Sequence, residues 1–147
     1  MDTNAAGMAE PIDFRHHLTA DGGRICARMI CRTLDLIANK WAVPIILTLA
    51  AARQQRPDRP MRFSELSRAL PLITQKELTK QLRSLEAAGL VGRHVHAAVP
   101  PRVEYWLTDL GVSLRPVLDA LGRWSAENGP AMAANLQQKQ DAVAAAE

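Results

Sequence analysis

Residues 63–89 read FSELSRALPLITQKELTKQLRSLEAAG, two amphipathic stretches joined by a turn too tight for anything but a helix-turn-helix. Phe63, Leu66 and Leu70 recur at i, i+3 and i+7, which gives the first stretch one apolar face. Pro71 stops it, because a proline disfavours the α region at the residue before it. Thr74 followed by Glu77 is a capping-box pattern, in which the hydroxyl takes an orphan amide and the carboxylate reaches back. From there Leu78, Leu82 and Leu85 trace a buried stripe until Gly89 supplies the terminating residue. Gln75, Lys76, Thr79, Lys80 and Arg83 fall on the other faces. Amides and guanidinium groups form bidentate bonds with base edges in a major groove, and ammonium groups meet phosphates. The same pattern also describes an ordinary surface helix with a solvated basic face.

Next in the chain, LVGRHVH (residues 90–96) and RVEYWLT (102–108) alternate and contain β-branched residues around a proline-bearing tip, which predicts a β-hairpin. A hairpin directly after a reading helix is the wing of a winged helix. Arg93, His94, His96 and Arg102 are placed to meet a nucleic-acid backbone; His94 and His96, two apart on one strand face, also have the spacing of a metal pair, but no third ligand lies nearby and no metal is expected. His16 and His17 are adjacent and diverge on any regular element, so they form no ligand set.

On the N-terminal side, residues 1–23 lack periodicity and read as a flexible arm. Residues 25–38 predict a helix with a stripe of Met29, Ile30, Leu34 and Ile37, ended by Asn39 as N-cap of a second, largely buried helix over residues 40–52, with Pro44 in its first turn. Residues 53–60 form a polar loop with two prolines. On the C-terminal side, Leu114, Val117, Leu118, Leu121 and Trp124 form a long apolar face that starts near Thr108, is kinked at Pro116 and ends at Gly129-Pro130. That stripe and the one from Met29 to Ile37 have no partner once the winged-helix core is filled, which predicts a homodimer. The organisation is therefore an arm (1–23), a winged helix-turn-helix domain with N- and C-terminal dimerisation helices (24–129) and a tail (130–147). The fold class is mainly α with a small β-hairpin.

The chain has 147 residues, 48% apolar and 22% charged, as a single-domain globular protein has. No apolar run approaches the ~20 residues needed to span a bilayer, and the acidic N-terminus is unlike a signal peptide, so no membrane partner and a cytoplasmic location are expected. The net charge of +3 is unevenly placed. Residues 56–93 hold eight cations against four acids, whereas residues 108–147 hold three against five. Basic charge thus collects on the helix pair and its flanks, where an anionic polymer such as double-stranded DNA would bind. No Ser/His/Asp, Cys/His or paired-carboxylate arrangement points to an enzyme, and no cofactor is expected. Cys26 and Cys31 would lie roughly 140° apart on a helix, which disfavours a disulfide between them.

The linked set LDLIANKW (34–41), residues 62–93, VPPRVEYWLTDLG (99–111) and LRPVLDAL (114–121) resembles the HxlR-type transcriptional regulators, winged-helix proteins of MarR-like architecture, over roughly two-thirds of the chain. The resemblance implies a sequence-specific DNA-binding homodimer acting on an inverted repeat, without catalysis of its own; repression is the expected sense of regulation, and the sequence leaves activation open. Thr74, Gln75, Lys76, Thr79, Lys80 and Arg83 would then read or seat on DNA, with Arg93 and Arg102 on the backbone. Two departures stand out. Many members carry a Cys-Pro-Val sequence whose Cys aligns with Arg28 here, and some sense oxidants through it; Cys26 and Cys31 lie close by, either as inert small hydrophobes or as redox-active thiols favoured by Arg28 and Arg32. The loop at 53–60 is longer than the few residues usual at that place. A small apolar or aromatic effector between the terminal helices would meet Met29, Trp41 and Trp124, which otherwise serve as core. The alternative function is a winged-helix protein-interaction module without sequence-specific DNA binding.

Overall fold

The structure, a computed structural model, describes residues 17–18, 24–25 and 27–145. The chain divides into two compact units, Met1–Asn39 and Lys40–Glu147. In the first, strand β1 (His17–Leu18) pairs antiparallel with β2 (Arg24–Ile25), His17 opposite Ile25, and helix α1 (Ala27–Ile37) follows. The helix expected from Ile25 therefore begins later, since Ile25 is committed to the strand pair. Apart from His17 and Leu18, the expected flexible arm lies outside the described residues. Met29, Ile30 and Leu34 are exposed on α1.

The second unit opens with α2 (Ala42–Gln55). Asn39 is not its N-cap; Trp41 occupies that position and offers no side-chain acceptor. Pro44 sits in the first turn as expected, where its missing N–H would be an orphan anyway. The helix continues three residues beyond Ala52, because Arg53, Gln54 and Gln55 are good helix formers and the first hard stop is Arg56, restricted by Pro57. The true loop is shorter than expected, and Arg53 is fastened rather than loose. Its guanidinium donates to the Leu107 carbonyl and to Asp109 Oδ1, both at 2.7 Å.

Strand β3 (Met61–Arg62) leads into α3 (Phe63–Ala69) and, after a turn, α4 (Gln75–Ala87). Both ends of α4 follow from its sequence. Thr74 Oγ1 accepts from the Glu77 amide at 3.2 Å, and Gly89 takes φ +76° so that Gly89 N donates to Glu86 O and Leu90 N to Leu85 O. The Glu77 carboxylate does not close the expected box; it accepts from Gln81 Nε2 at 2.7 Å, a buried amide that would otherwise lack a partner. A reciprocal carboxylate appears instead at α3, where Glu65 Oε2 accepts from Arg62 N at 2.8 Å.

The hairpin is β4 (Val91–His96) and β5 (Arg102–Leu107), with Val91 opposite Leu107 and His96 opposite Arg102. Strand β3 adds to its far side, giving the antiparallel order β3-β5-β4. That third strand is not evident in the sequence, because two residues carry no alternation. Its ladder pairs Met61 with Tyr105 and stops at Pro60, which has no N–H to donate opposite Trp106.

The C-terminal region is two helices, α5 (Asp109–Ser113) and α6 (Arg115–Ala144). Pro116 stands in the first turn of α6, where it favours helix initiation rather than a kink. Gly129-Pro130 does not end the helix. Pro130 forfeits one backbone bond on a solvent-exposed surface where water can take the freed carbonyl, and the following Ala-, Gln- and Leu-rich stretch carries the helix on. Ile45, Ile46 and Leu49 of α2, Leu66 of α3, Leu78, Leu82 and Leu85 of α4, and Val91 and Leu107 of the wing are all but fully buried. This core clamps the rear of α4 and leaves its front free, the arrangement of a winged helix-turn-helix.

Candidate nucleic-acid interface

The leucine stripe sets the roll of α4. With Leu78, Leu82 and Leu85 inward, Gln75, Lys76, Lys80 and Arg83 are turned outward and exposed, and Thr79 is half-buried at the edge of the face. Together with Thr74, Glu77 and Phe63 they border a shallow concavity of about 890 Å³. Among the described residues, Gln75, Lys76, Lys80 and Arg83 make no side-chain hydrogen bond or ion pair within the chain. Their donors are therefore available, and the local charge of three cations against Glu77 alone is positive. The hydroxyls differ. Thr74 Oγ1 is spent on its cap and Thr79 Oγ1 donates to Gln75 O at 2.8 Å, so Thr79 presents chiefly its methyl group. Sequence reasoning misses Phe63 as part of this surface; its place at the first residue of α3 is the only signal.

The wing separates the remaining expected residues. Alternation along the strands puts Arg93 and Arg102 on opposite faces. Arg93 is exposed, whereas Arg102 Nε lies 3.3 Å from Glu104 Oε1. The other Glu104 oxygen is 2.6 Å from His96 Nε2, and His96 meets His94 edge-on at 4.5 Å between ring centroids. The hydrogen bond from His96 holds the Glu104 carboxyl below the ordinary carboxylate value, helped by the charges of His96, Arg102 and Arg62 and opposed by partial burial. Arg102 is thus a partner of this cluster as well as a surface cation.

The remaining sequence candidates fall in both units. Met29 is exposed in the first unit, while Trp41, half-buried with Lys40 Nζ 5.1 Å from its ring centroid, and Trp124, 51% exposed, belong to the second. Cys31 is a free, exposed thiol on α1, and Cys26 lies outside the described residues.

Comparison with known proteins accounts for this layout. The HxlR-like helix-turn-helix family matches residues 36–133. An uncharacterized HTH-type transcriptional regulator of Methanothermobacter thermautotrophicus is 48% identical over 88 residues, 60% of this chain and 62% of that relative. YtcD of Bacillus subtilis, an uncharacterized HTH-type transcriptional regulator, is 45% identical over 96 residues, 65% of this chain and 71% of its own. Among solved structures, the redox regulator HypR in its reduced form superposes with a TM-score of 0.57 at 40% identity, covering 68% of this chain and 92% of that one. These relatives are regulators and not enzymes. The chain belongs to the HxlR-like helix-turn-helix family of transcriptional regulators.

Proposed function

We propose that the chain is a sequence-specific DNA-binding repressor that acts as a homodimer on an inverted repeat, each copy laying α4 in a major groove. The observation that carries this reading is the free polar face of α4: four donor-bearing side chains, none paired within the chain among the described residues, on a helix whose opposite face is locked by three buried leucines. Gln75, Lys76 and Arg83 read bases, with the Thr79 methyl beside them, while Lys80, Arg93 and Arg102 seat on phosphates and Thr74 holds the helix start.

Pairing of copies is supported by α6. Val117, Leu121 and Trp124 are about half exposed in the single chain, and Met132, Leu136 and Val143 continue the apolar face over a helix of 30 residues. Exposed apolar residues at helical spacing along some 45 Å are a surface that a second copy would cover. Two such copies place their α4 helices about one duplex turn, ~34 Å, apart. A small apolar molecule, or oxidation at Cys26 or Cys31, would set the affinity by changing that spacing; the likeness to HypR, a redox regulator, supports the second of these inputs.

The test is footprinting with the full chain on the DNA upstream of its own gene, beside a sedimentation measurement. Protection of two half-sites one turn apart by a dimer is expected. A monomer, or no binding at low salt, overturns the reading and leaves a protein-interaction module.

A further inference from the structure

Beyond the DNA-facing surface, the second unit contains a cavity of about 670 Å³, within the range of small-molecule sites. It borders β3. The ladder stops at Pro60, and residues 57–60 of the loop, β5 and the end of α2 together line the gap. The walls combine apolar surface with Trp106, whose indole occupies the space that a Cβ at Gly92 would fill. The indole is thereby held against the sheet, and Trp106 is among the residues that line the cavity.

The charges of the lining decide what fits. Arg53 is bound to Leu107 O and Asp109, Arg59 donates to Glu65 Oε1 at 2.8 Å, and Glu104 is held by His96 and Arg102. An entering anion finds both guanidinium groups already matched by carboxylates. Asp58, on the loop that forms one wall, has no cationic partner among the described residues. Asp58 is thus a lining carboxylate without a cationic partner among the described residues, in a cavity that Trp106 also lines, and a carboxylate beside an aromatic ring is the combination that recognises an ammonium group. We propose that this cavity binds a small organic cation, an aromatic amine or quaternary ammonium, seated on Trp106 with its charge toward Asp58.

The site has a physical route to the helix pair. Glu65, which holds Arg59 of the loop, also accepts the Arg62 amide at the start of α3, so an occupant that displaces the loop pulls on the first turn of the helix-turn-helix. This regulatory step rests on the DNA-binding reading; the binding step does not.

Isothermal titration of the full chain with benzyltrimethylammonium, with benzoate and benzyl alcohol as charge controls, tests the site. Saturable binding of the cation at one site per chain is expected, with both controls about tenfold weaker or worse. Asp58→Asn, an exposed loop position that leaves the melting temperature unchanged, weakens the cation about fivefold, and Trp106→Leu removes binding that Trp106→Phe largely keeps. No saturable binding at millimolar cation, equal binding of benzoate, or an unaltered Asp58→Asn variant overturns the proposal. Fluorescence anisotropy on promoter DNA then separates the steps. A changed DNA affinity at saturating cation supports the regulatory step, and unchanged affinity with cation bound overturns it alone. A chain that binds no DNA fails the preceding reading, while the titration still decides the site.

Discussion

Lys80→Ala isolates the electrostatic part of the interface, because Lys80 is exposed on α4 and has no carboxylate partner that its removal would strand. Folding stability should stay within about 0.5 kcal/mol of wild type, as for other surface sites free of special contacts. DNA affinity should not. If each copy in a dimer neutralises about three phosphates, six in all, the slope of log K against log salt is about −5.4, and loss of one contact per copy relaxes it to about −3.6. Between 50 and 200 mM salt the wild type then loses roughly 1,800-fold in affinity and the variant roughly 150-fold. Fluorescence anisotropy with a labelled promoter fragment across that salt range measures both lines. Gln75→Ala is the internal contrast, since it removes about 1–3 kcal/mol of base discrimination but no charge, and so shifts its line without tilting it. Arg102→Ala should tilt the line less than Lys80→Ala does, because Glu104 already engages that guanidinium. Parallel lines for wild type and Lys80→Ala would show that this face of α4 does not neutralise phosphates, and the assignment of the groove-facing surface would fail.

Local geometry sets three further outcomes. A Cβ on Gly111 would collide with the Leu90 carbonyl and stand within 2.8 Å of two Leu107 side-chain atoms, so Gly111→Ala should cost about 2–3 kcal/mol, read as a lower urea midpoint at unchanged m-value; a neutral variant would mean that α5 is free to step away. Thr74→Ala removes the Oγ1 acceptor at the start of α4 and should cost about 1 kcal/mol in thermal unfolding of the DNA-free protein, more than Thr79→Ala, whose hydroxyl serves no helix end. Because the folded Glu104 carboxyl titrates below its ordinary value, its contribution is fully present above the unfolded carboxylate pKa of about 4.3 and fades as pH falls through the lower folded one. The melting-temperature gap between wild type and Glu104→Gln should therefore be constant near neutrality and close in acid, and a gap independent of pH down to 3 would remove the carboxylate from that role.

The contrast between what was legible and what was not has one physical root. The helix-turn-helix could be read because its signals are local: Pro71 and Thr74 bound the turn, three leucines set the roll of α4, and only a residue like Gly89 takes φ +76° without strain. The front face of α4 was legible for the same reason, since a helix whose rear is defined has its front defined too. What escaped depends on partners distant in sequence. Arg53 reads as a loop cation until Leu107 and Asp109, more than fifty residues on, are placed beside it. Pro130 misled in the opposite sense. A proline is a local stop only where the lost bond is not outweighed, and along an exposed stretch flanked by strong helix formers the chain continued. The cavity beside Trp106 belongs wholly to the second class. It borders a strand that no periodicity announced and that stops at Pro60, it is lined by Trp106, whose indole fits only because Gly92, fourteen residues away, has no side chain, and of its charged lining two arginines are matched by acids while Asp58 is not. In this chain, local sequence patterns disclose the exposed polar face of α4 that is proposed to meet DNA, and only the assembled sheet discloses the cavity.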